Sequence, residues 1–155
     1  MQTPLTIRAL DRADLPSVSV ILDATGLFPS DLLEPMAEPF LAEDAPHHWL
    51  VACDPDKVVG FAYAEPERMT DGTFNLLAIA VDPAVQRGGI GKALVNGLID
   101  RLGQQGGRVL IVETSSLDDF ADTRSFYAGQ AFSEEARIRD FYAEGEDKIL
   151  FWKHL

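Results

Sequence analysis

Polar and apolar positions alternate over Thr6-Ile-Arg-Ala-Leu10, the pattern of a strand whose two faces meet different surroundings. Asp11 then caps a helix predicted over residues 13–23, with Leu15, Val18, Ile21 and Leu22 as its buried stripe. Thr25-Gly-Leu-Phe-Pro29 reads as a loop, and Ser30 stands where it would cap a second helix over residues 32–41. Pro35 and Pro39 make that helix short or kinked. His48-Trp-Leu-Val-Ala-Cys53 and Val58-Val-Gly-Phe-Ala-Tyr-Ala64 flank the turn residues Asp54-Pro-Asp-Lys57, which predicts an antiparallel hairpin. Residues 74–81 supply a third consecutive strand.

The period then changes. Lys92-Ala-Leu-Val-Asn-Gly-Leu-Ile-Asp-Arg-Leu102 has helical spacing, and Gly106-Gly107 introduces an apolar strand, Arg108-Val-Leu-Ile-Val-Glu-Thr114. A strand that follows a helical crossover pairs in parallel. A helix over residues 119–130 and two strands over 136–142 and 148–153 complete the order β, α, α, β, β, β, α, β, α, β, β. No repeat, low-complexity tract or linker interrupts it, so residues 1–155 read as a single domain with one mixed sheet covered by helices.

The turn between the third strand and the third helix, Gln86-Arg87-Gly88-Gly89-Ile90-Gly91-Lys92, is an anion cradle. Backbone N–H groups without intrahelical partners and the positive end of the helix dipole converge there. Gly88, Gly89 and Gly91 permit positive φ and close approach of a ligand, while Arg87 and Lys92 add positive charge on either flank. Two nucleotide motifs are excluded on the same residues. Gly91-Lys92 is followed by Ala93, where a Walker A loop needs a magnesium-binding hydroxyl, and Leu94 stands where a dinucleotide fingerprint needs its third glycine. Glu113 is a carboxylate in an otherwise apolar strand, so it faces the sheet mouth, finds a partner or takes up a proton.

The pattern that does match is Gln/Arg-x-x-Gly-x-Gly/Ala, met by Gln86, Gly89 and Gly91 after Val81-Asp82-Pro83, and here the chain resembles the GNAT superfamily of acetyl-coenzyme A-dependent N-acetyltransferases. The resemblance implies an α/β (α+β mixed) fold, with a mostly antiparallel seven-stranded sheet, a splayed central parallel pair and helices on both faces. It implies that Ile79, Ala80 and Val81 offer backbone groups to the pantetheine arm, and that Arg87, Gly88, Gly89, Ile90, Gly91 and Lys92 hold the pyrophosphate of acetyl-CoA. Thr123-Arg-Ser-Phe-Tyr-Ala-Gly-Gln-Ala-Phe132 resembles the family's Phe-Tyr-x-x-x-Gly-Phe helix end, which assigns Tyr127 to the leaving thiolate as its proton donor. A phenol suits that step, having a pKa near 10 and a proton to give. Attack by an amine also needs a base, and Glu113, Glu65 or a chain of waters fills that role; Phe126 reads as helix packing.

Within the superfamily the pattern is most similar to bacterial ribosomal-protein alanine N-terminal acetyltransferases, through residues 75–92, Glu113, Tyr127 and Ala136-Arg-Ile-Arg-Asp-Phe-Tyr142. Phe28-Pro29 resembles the loop bordering the peptide site, and Tyr142 is either a contact for the substrate N-terminus or a plain strand residue. Two departures are Ala131, at a position usually glycine, and Ser116-Leu-Asp-Asp-Phe-Ala-Asp122, where an asparagine is usual. The acceptor therefore stays open between a protein N-terminus and a small-molecule amine, and the acyl group between acetyl and a larger one. The alternative class is a catalytically silent coenzyme A-binding regulatory module.

Composition narrows the setting. A hydrophobic fraction of 46% and 25% charged residues suit one soluble domain, with no apolar run of membrane-spanning length. The formal charge of −12 excludes nonspecific nucleic-acid binding and suits either colloidal solubility or attraction of cationic substrates. Met1-Gln-Thr-Pro-Leu-Thr-Ile-Arg8 lacks a basic segment followed by an apolar core, and Cys53 is the only cysteine; both point to a reducing, cytoplasmic location. Cys53, His47 and His48 read as structural, and the three scattered histidines predict no metal site. The exposed last strand is able to pair with a second copy, giving a homodimer.

Overall fold

A computed structural model describes residues 4–155; the leader reading that begins at Met1 rests partly on residues 1–3, outside the described residues. The elements are β1 (Thr6–Ala9), α1 (Leu15–Thr25), α2 (Leu33–Leu41), β2 (His48–Cys53), β3 (Val58–Pro66), β4 (Thr73–Val81), α3 (Ile90–Gln104), β5 (Val109–Ser115), α4 (Ala121–Gly129), β6 (Ser133–Ala143) and β7 (Glu146–His154). The strands form one seven-stranded sheet in the order β1-β2-β3-β4-β5-β7-β6. The one parallel ladder is β4 with β5, as the crossover through α3 requires, and its register runs from Thr73↔Val109 to Asn75↔Ile111. The chain divides into two compact units, the first comprising residues up to Glu65 with Leu77–Arg101, the second Pro66–Leu76 with Leu102–Leu155.

In the first unit β1 and β2 pair antiparallel from Thr6↔Cys53 to Ala9↔Leu50, and β2 and β3 pair antiparallel with a register shift at Ala52/Cys53. β2 is buried along its whole length, the result of an almost unbroken apolar sequence. Trp49 stacks on Tyr63 at 4.2 Å and on Phe61 at 6.0 Å between ring centroids. Val18, Ile21 and Leu22 of α1 and Leu33 and Ala37 of α2 join this aromatic layer in one core, with Leu15 packed half-buried against it.

Helix entries differ from the sequence reading in a consistent way. Asp11 does act as a cap, but for a 3-10 turn over Arg12–Asp14, in a reciprocal capping box with Asp14, and α1 begins only after it with Pro16 in its first turn. Ser30 does not cap the second helix. It is the first residue of a 3-10 turn, Ser30–Leu32, whose cap is Pro29, and no side chain bonds the entry. Pro35 and Pro39 lack the N–H that an α-helix needs, and α2 is correspondingly only nine residues long.

In the second unit β5 pairs antiparallel with β7 from Val109↔His154 to Ser115↔Lys148, and β7 pairs antiparallel with β6. Bulges interrupt the β6–β7 ladder between Glu134 and Ala136 and between Ile138 and Ala143, where Asp140 takes φ 53°. β6 is exposed over all eleven residues. Phe74, Leu76, Leu102, Leu110, Val112, Tyr127, Phe132, Ile149 and Phe151 are the buried apolar side chains of this unit, and Asn75, Thr114, Ser115 and Lys148 are buried with them.

Candidate active site

β4 ends at Val81, and Asp82 shapes the exit: its backbone N–H donates to the carbonyl of Val59 at 2.8 Å, and its side chain accepts from the N–H of Ala84 at 2.9 Å. Gly89 follows with φ 86°, a left-handed conformation that favours glycine. Of the three glycines read as permitting positive φ, Gly89 is the one that adopts it in this loop; Gly91 lies inside α3. The first intrahelical bond runs from the N–H of Ala93 to the carbonyl of Gly89 at 2.9 Å, so the amides of Ile90, Gly91 and Lys92 precede the helical ladder and have no partner within it. Ile90 is buried and pins the turn, while a β-carbon on Gly88 or Gly89 would meet no atom within 4 Å. Three orphan donors, a positive helix terminus and open space thus coincide, which fits a diphosphate.

The two flanking cations behave differently. Lys92 is exposed at the first turn of α3. Arg87 donates from Nη1 to Oδ1 of Asp54 at 3.1 Å, fastening the glycine loop to the β2–β3 turn. Upstream, Ala80 is buried while Ile79 and Val81 are half-buried. Gly60 is a contributor that sequence reasoning missed: a β-carbon there would lie 3.0 Å from the Ala80 carbonyl oxygen and 3.1 Å from Cδ1 of Leu94. No positive φ marks it, so its requirement is close packing, visible in the sequence only as a glycine inside an apolar strand.

The second unit holds the acid candidate, Tyr127, and one of the two base candidates, Glu113. Tyr127, on α4, is 2% exposed, with ring centroids 5.5 Å from Phe132 and 6.0 Å from Phe151. Desolvation alone drives its phenol pKa well above the usual value, so the hydroxyl keeps its proton throughout the physiological range. Phe126 packs edge-on against it at 5.1 Å. Glu113, on β5, found partners: Nζ of Lys148 at 3.1 Å and Nδ2 of Asn75 at 3.3 Å, while 30% of its side chain stays accessible. Asn75 also donates to Oε1 of Glu67 at 2.8 Å. Tyr142, on β6, is half-exposed against Phe141, and its phenol pKa is raised by partial desolvation first and then by the charges of Glu113 and Glu146. Asn75, Glu67 and Lys148 were not singled out from the sequence; a polar side chain within an apolar strand was the available signal for Asn75 and Lys148.

The remaining candidates fall in the first unit. Phe28 packs half-buried against the core. Glu65 accepts a hydrogen bond from the Tyr63 hydroxyl and lies 3.2 Å from Nε2 of His47. His47 packs edge-on against Tyr63, and its Nδ1 is buried without a hydrogen-bond partner. Cys53 and His48 are buried in β2. Among the described residues no group of three or more His, Cys, Asp and Glu side chains converges on one point.

The acetyltransferase (GNAT) family model matches residues 18–132, which is most of the chain. A solved structure assigned to the GNAT acetyltransferases from Desulfovibrio desulfuricans is 32% identical with a TM-score of 0.88, covering 97% of this chain and 99% of that one. The ribosomal-protein-S18-alanine N-acetyltransferase from Escherichia coli is 26% identical with a TM-score of 0.74, covering 97% and 94%. An acetyltransferase structure from Salmonella typhimurium with its cofactor acetyl-CoA shares the fold at 21% identity and a TM-score of 0.78, covering 99% and 95%. Comparison with the curated proteins finds no match. The chain belongs to the acetyltransferase (GNAT) family and is an N-acetyltransferase.

Proposed function

We propose that this enzyme transfers an acetyl group from acetyl-CoA to a primary amine by direct attack on the thioester. The observation that carries the donor assignment is the start of α3, where the amides of Ile90, Gly91 and Lys92 stand without intrahelical partners beside the bare Gly88 and Gly89. Those groups take the pyrophosphate, with Lys92 adding charge and Arg87 holding the loop to Asp54. Ile79, Ala80 and Val81 run along the pantetheine arm. The family match across residues 18–132 includes residues of both compact units and supports treating 1–155 as one catalytic domain.

In the reaction, Glu113 takes a proton from the acceptor ammonium, the neutral nitrogen attacks the carbonyl carbon, and the C–S bond breaks as the C–N bond forms. Tyr127 gives its proton to the departing thiolate. Burial keeps the phenol protonated throughout the physiological range, the state a proton donor must hold when the thiolate departs. Phe28 and Tyr142 border the acceptor. A protein N-terminus is the favoured acceptor, on the 26% identity to the ribosomal-protein alanine enzyme and the exposed aromatic Tyr142; a small-molecule amine is the competing one. No described helix is long and apolar enough to cross a membrane, and the lone buried cysteine supports a cytoplasmic setting. The last strand, β7, is paired on both sides by β5 and β6, so it is not the free edge that the sequence reading expected; the strand at the end of the order is β6, whose full exposure supports homodimer formation by strand pairing, which light scattering tests.

Calorimetric titration with acetyl-CoA and with free coenzyme A tests the donor, using Gly89→Asp as the control. Binding of both ligands that is lost in the variant supports the cradle; no binding of either overturns it. A product scan by mass spectrometry over alanyl peptides and small amines then separates the acceptors, and binding without any acetylated product would favour the silent module.

A further inference from the structure

We infer that Lys148 and Asn75 are positioning residues for Glu113, fastening one oxygen of its carboxylate and leaving the other to receive the acceptor's proton. The inference rests on the reading of Glu113 as the base. Both contacts fall on the same atom: Nζ of Lys148 lies 3.1 Å, and Nδ2 of Asn75 3.3 Å, from Oε1. Among the described residues no group bonds Oε2. A carboxylate held in this way cannot spin freely, and its unbonded oxygen has a fixed direction.

The two clamps are built into the fold. Glu113 is opposite Leu150 in the β5–β7 ladder, and Lys148 is two residues before Leu150, so it is the diagonal neighbour on the same face. Lys148 is only 8% exposed, unusual for a lysine, and its ammonium lies 3.7 Å over the centre of the Phe141 ring. Asn75 is 4% exposed and comes from the parallel neighbour strand, β4. Its amide nitrogen offers one N–H to Glu67 and one to Glu113, so two carboxylates fix which end of the amide faces them.

Charge complements the geometry: the Lys148 ammonium stands against the Glu113 carboxylate, and Asn75 joins Glu113 to a second carboxylate, Glu67.

Lys148→Met tests this, because it keeps an unbranched side chain and removes the ammonium. With acetyl-CoA and the best acceptor from the product scan, kcat is expected to fall about tenfold while KM for the acceptor changes little, and Lys148→Arg should restore most of kcat. Phe141→Leu, which removes the ring beneath the ammonium at a half-exposed site, should lower kcat in the same way by less and covers the case where the Met variant does not fold. Carbon-13 NMR of glutamate carboxyls, with the Glu113 signal identified by its loss in Glu113→Gln, reads the clamp without any substrate. An unchanged Glu113 carboxyl signal in folded Lys148→Met, or in Phe141→Leu if the former fails to fold, overturns the inference whatever happens to activity. A displaced signal with full turnover in Glu113→Gln instead overturns the base assignment, and the positioning role with it.

Discussion

A β-carbon on Gly60 would stand 3.0 Å from the carbonyl oxygen of Ala80, so β3 approaches the strand proposed to follow the pantetheine arm as closely as a backbone without side chain allows. Leu94 and Ile90 of α3 close over the same spot at 3.1 and 3.2 Å. Gly60→Val would push against strand and helix together. We expect a loss of about 1–3 kcal/mol in stability and a several-fold rise in KM for acetyl-CoA, with Gly60→Ala milder in both. Thermal melts and initial rates check this; unchanged KM in folded Gly60→Val would count against the coupling.

Gly89→Ala isolates the conformational part of the cradle, since space is open around the site and φ is 86°. The penalty is about 1 kcal/mol, or a drop of roughly 2–4 °C in Tm for a chain of this size. Acetyl-CoA affinity should fall further than stability does, because the loop relaxes by turning its amides away from the pyrophosphate. Calorimetry beside differential scanning separates the two effects.

Tyr127→Phe removes one oxygen from a ring packed against Phe132 and Phe151 and leaves the packing in place. Stability should be almost unchanged while kcat falls about 10²-fold or more, and comparable kcat in the two proteins would remove Tyr127 from the mechanism. Because burial raises the phenol pKa, the wild-type rate should show no alkaline limb from this residue below about pH 10. Linkage has the same sign: a raised folded-state pKa contributes stability that is complete below about pH 10 and is lost as pH climbs through the folded value. Melts of wild type and Tyr127→Phe between pH 8 and 11 should therefore diverge only at the top of the range.

Arg8 and Asp14 make a forked pair, Nη1 to Oδ2 at 2.6 Å and Nη2 to Oδ1 at 2.8 Å, and Asp14 also accepts from the N–H of Asp11 at 2.8 Å. The Arg8 hydrogen bonds are the main cause that holds the Asp14 carboxyl below its ordinary pKa. A depressed folded-state pKa contributes stability above the unfolded value, near 3.9, which is lost as pH falls through the folded one. Asp14→Asn should cost about 2 kcal/mol at pH 7, and the Tm gap to wild type should close below about pH 4. A gap independent of pH would mean that the loss comes from the cap and not the charge.

Much of this fold is legible in the sequence. The number and order of strands and helices, the β2–β3 hairpin at Asp54-Pro-Asp-Lys57 and the glycine turn before α3 all follow from signals within about ten residues of one another. Local sterics and hydrophobic period act over that range, so they survive removal of the rest of the chain. Helix entries were less legible: the 3-10 turns before α1, α2 and α4 depend on how each segment meets its neighbours.

Contacts between distant positions were decided by tertiary structure alone. Glu113 as a carboxylate in an apolar strand was visible in the sequence, but its partners are 38 residues before it and 35 after it, and nothing near it specifies an asparagine or a lysine. Arg87 read as one of two cations flanking the cradle, and Asp54, 33 residues earlier, holds it. Gly60 looked like any strand glycine until Ala80 and Leu94 were brought against it. Periodicity states which face of an element is apolar; which side chain stands across from it depends on register and strand order, and those are fixed only when the whole sheet assembles.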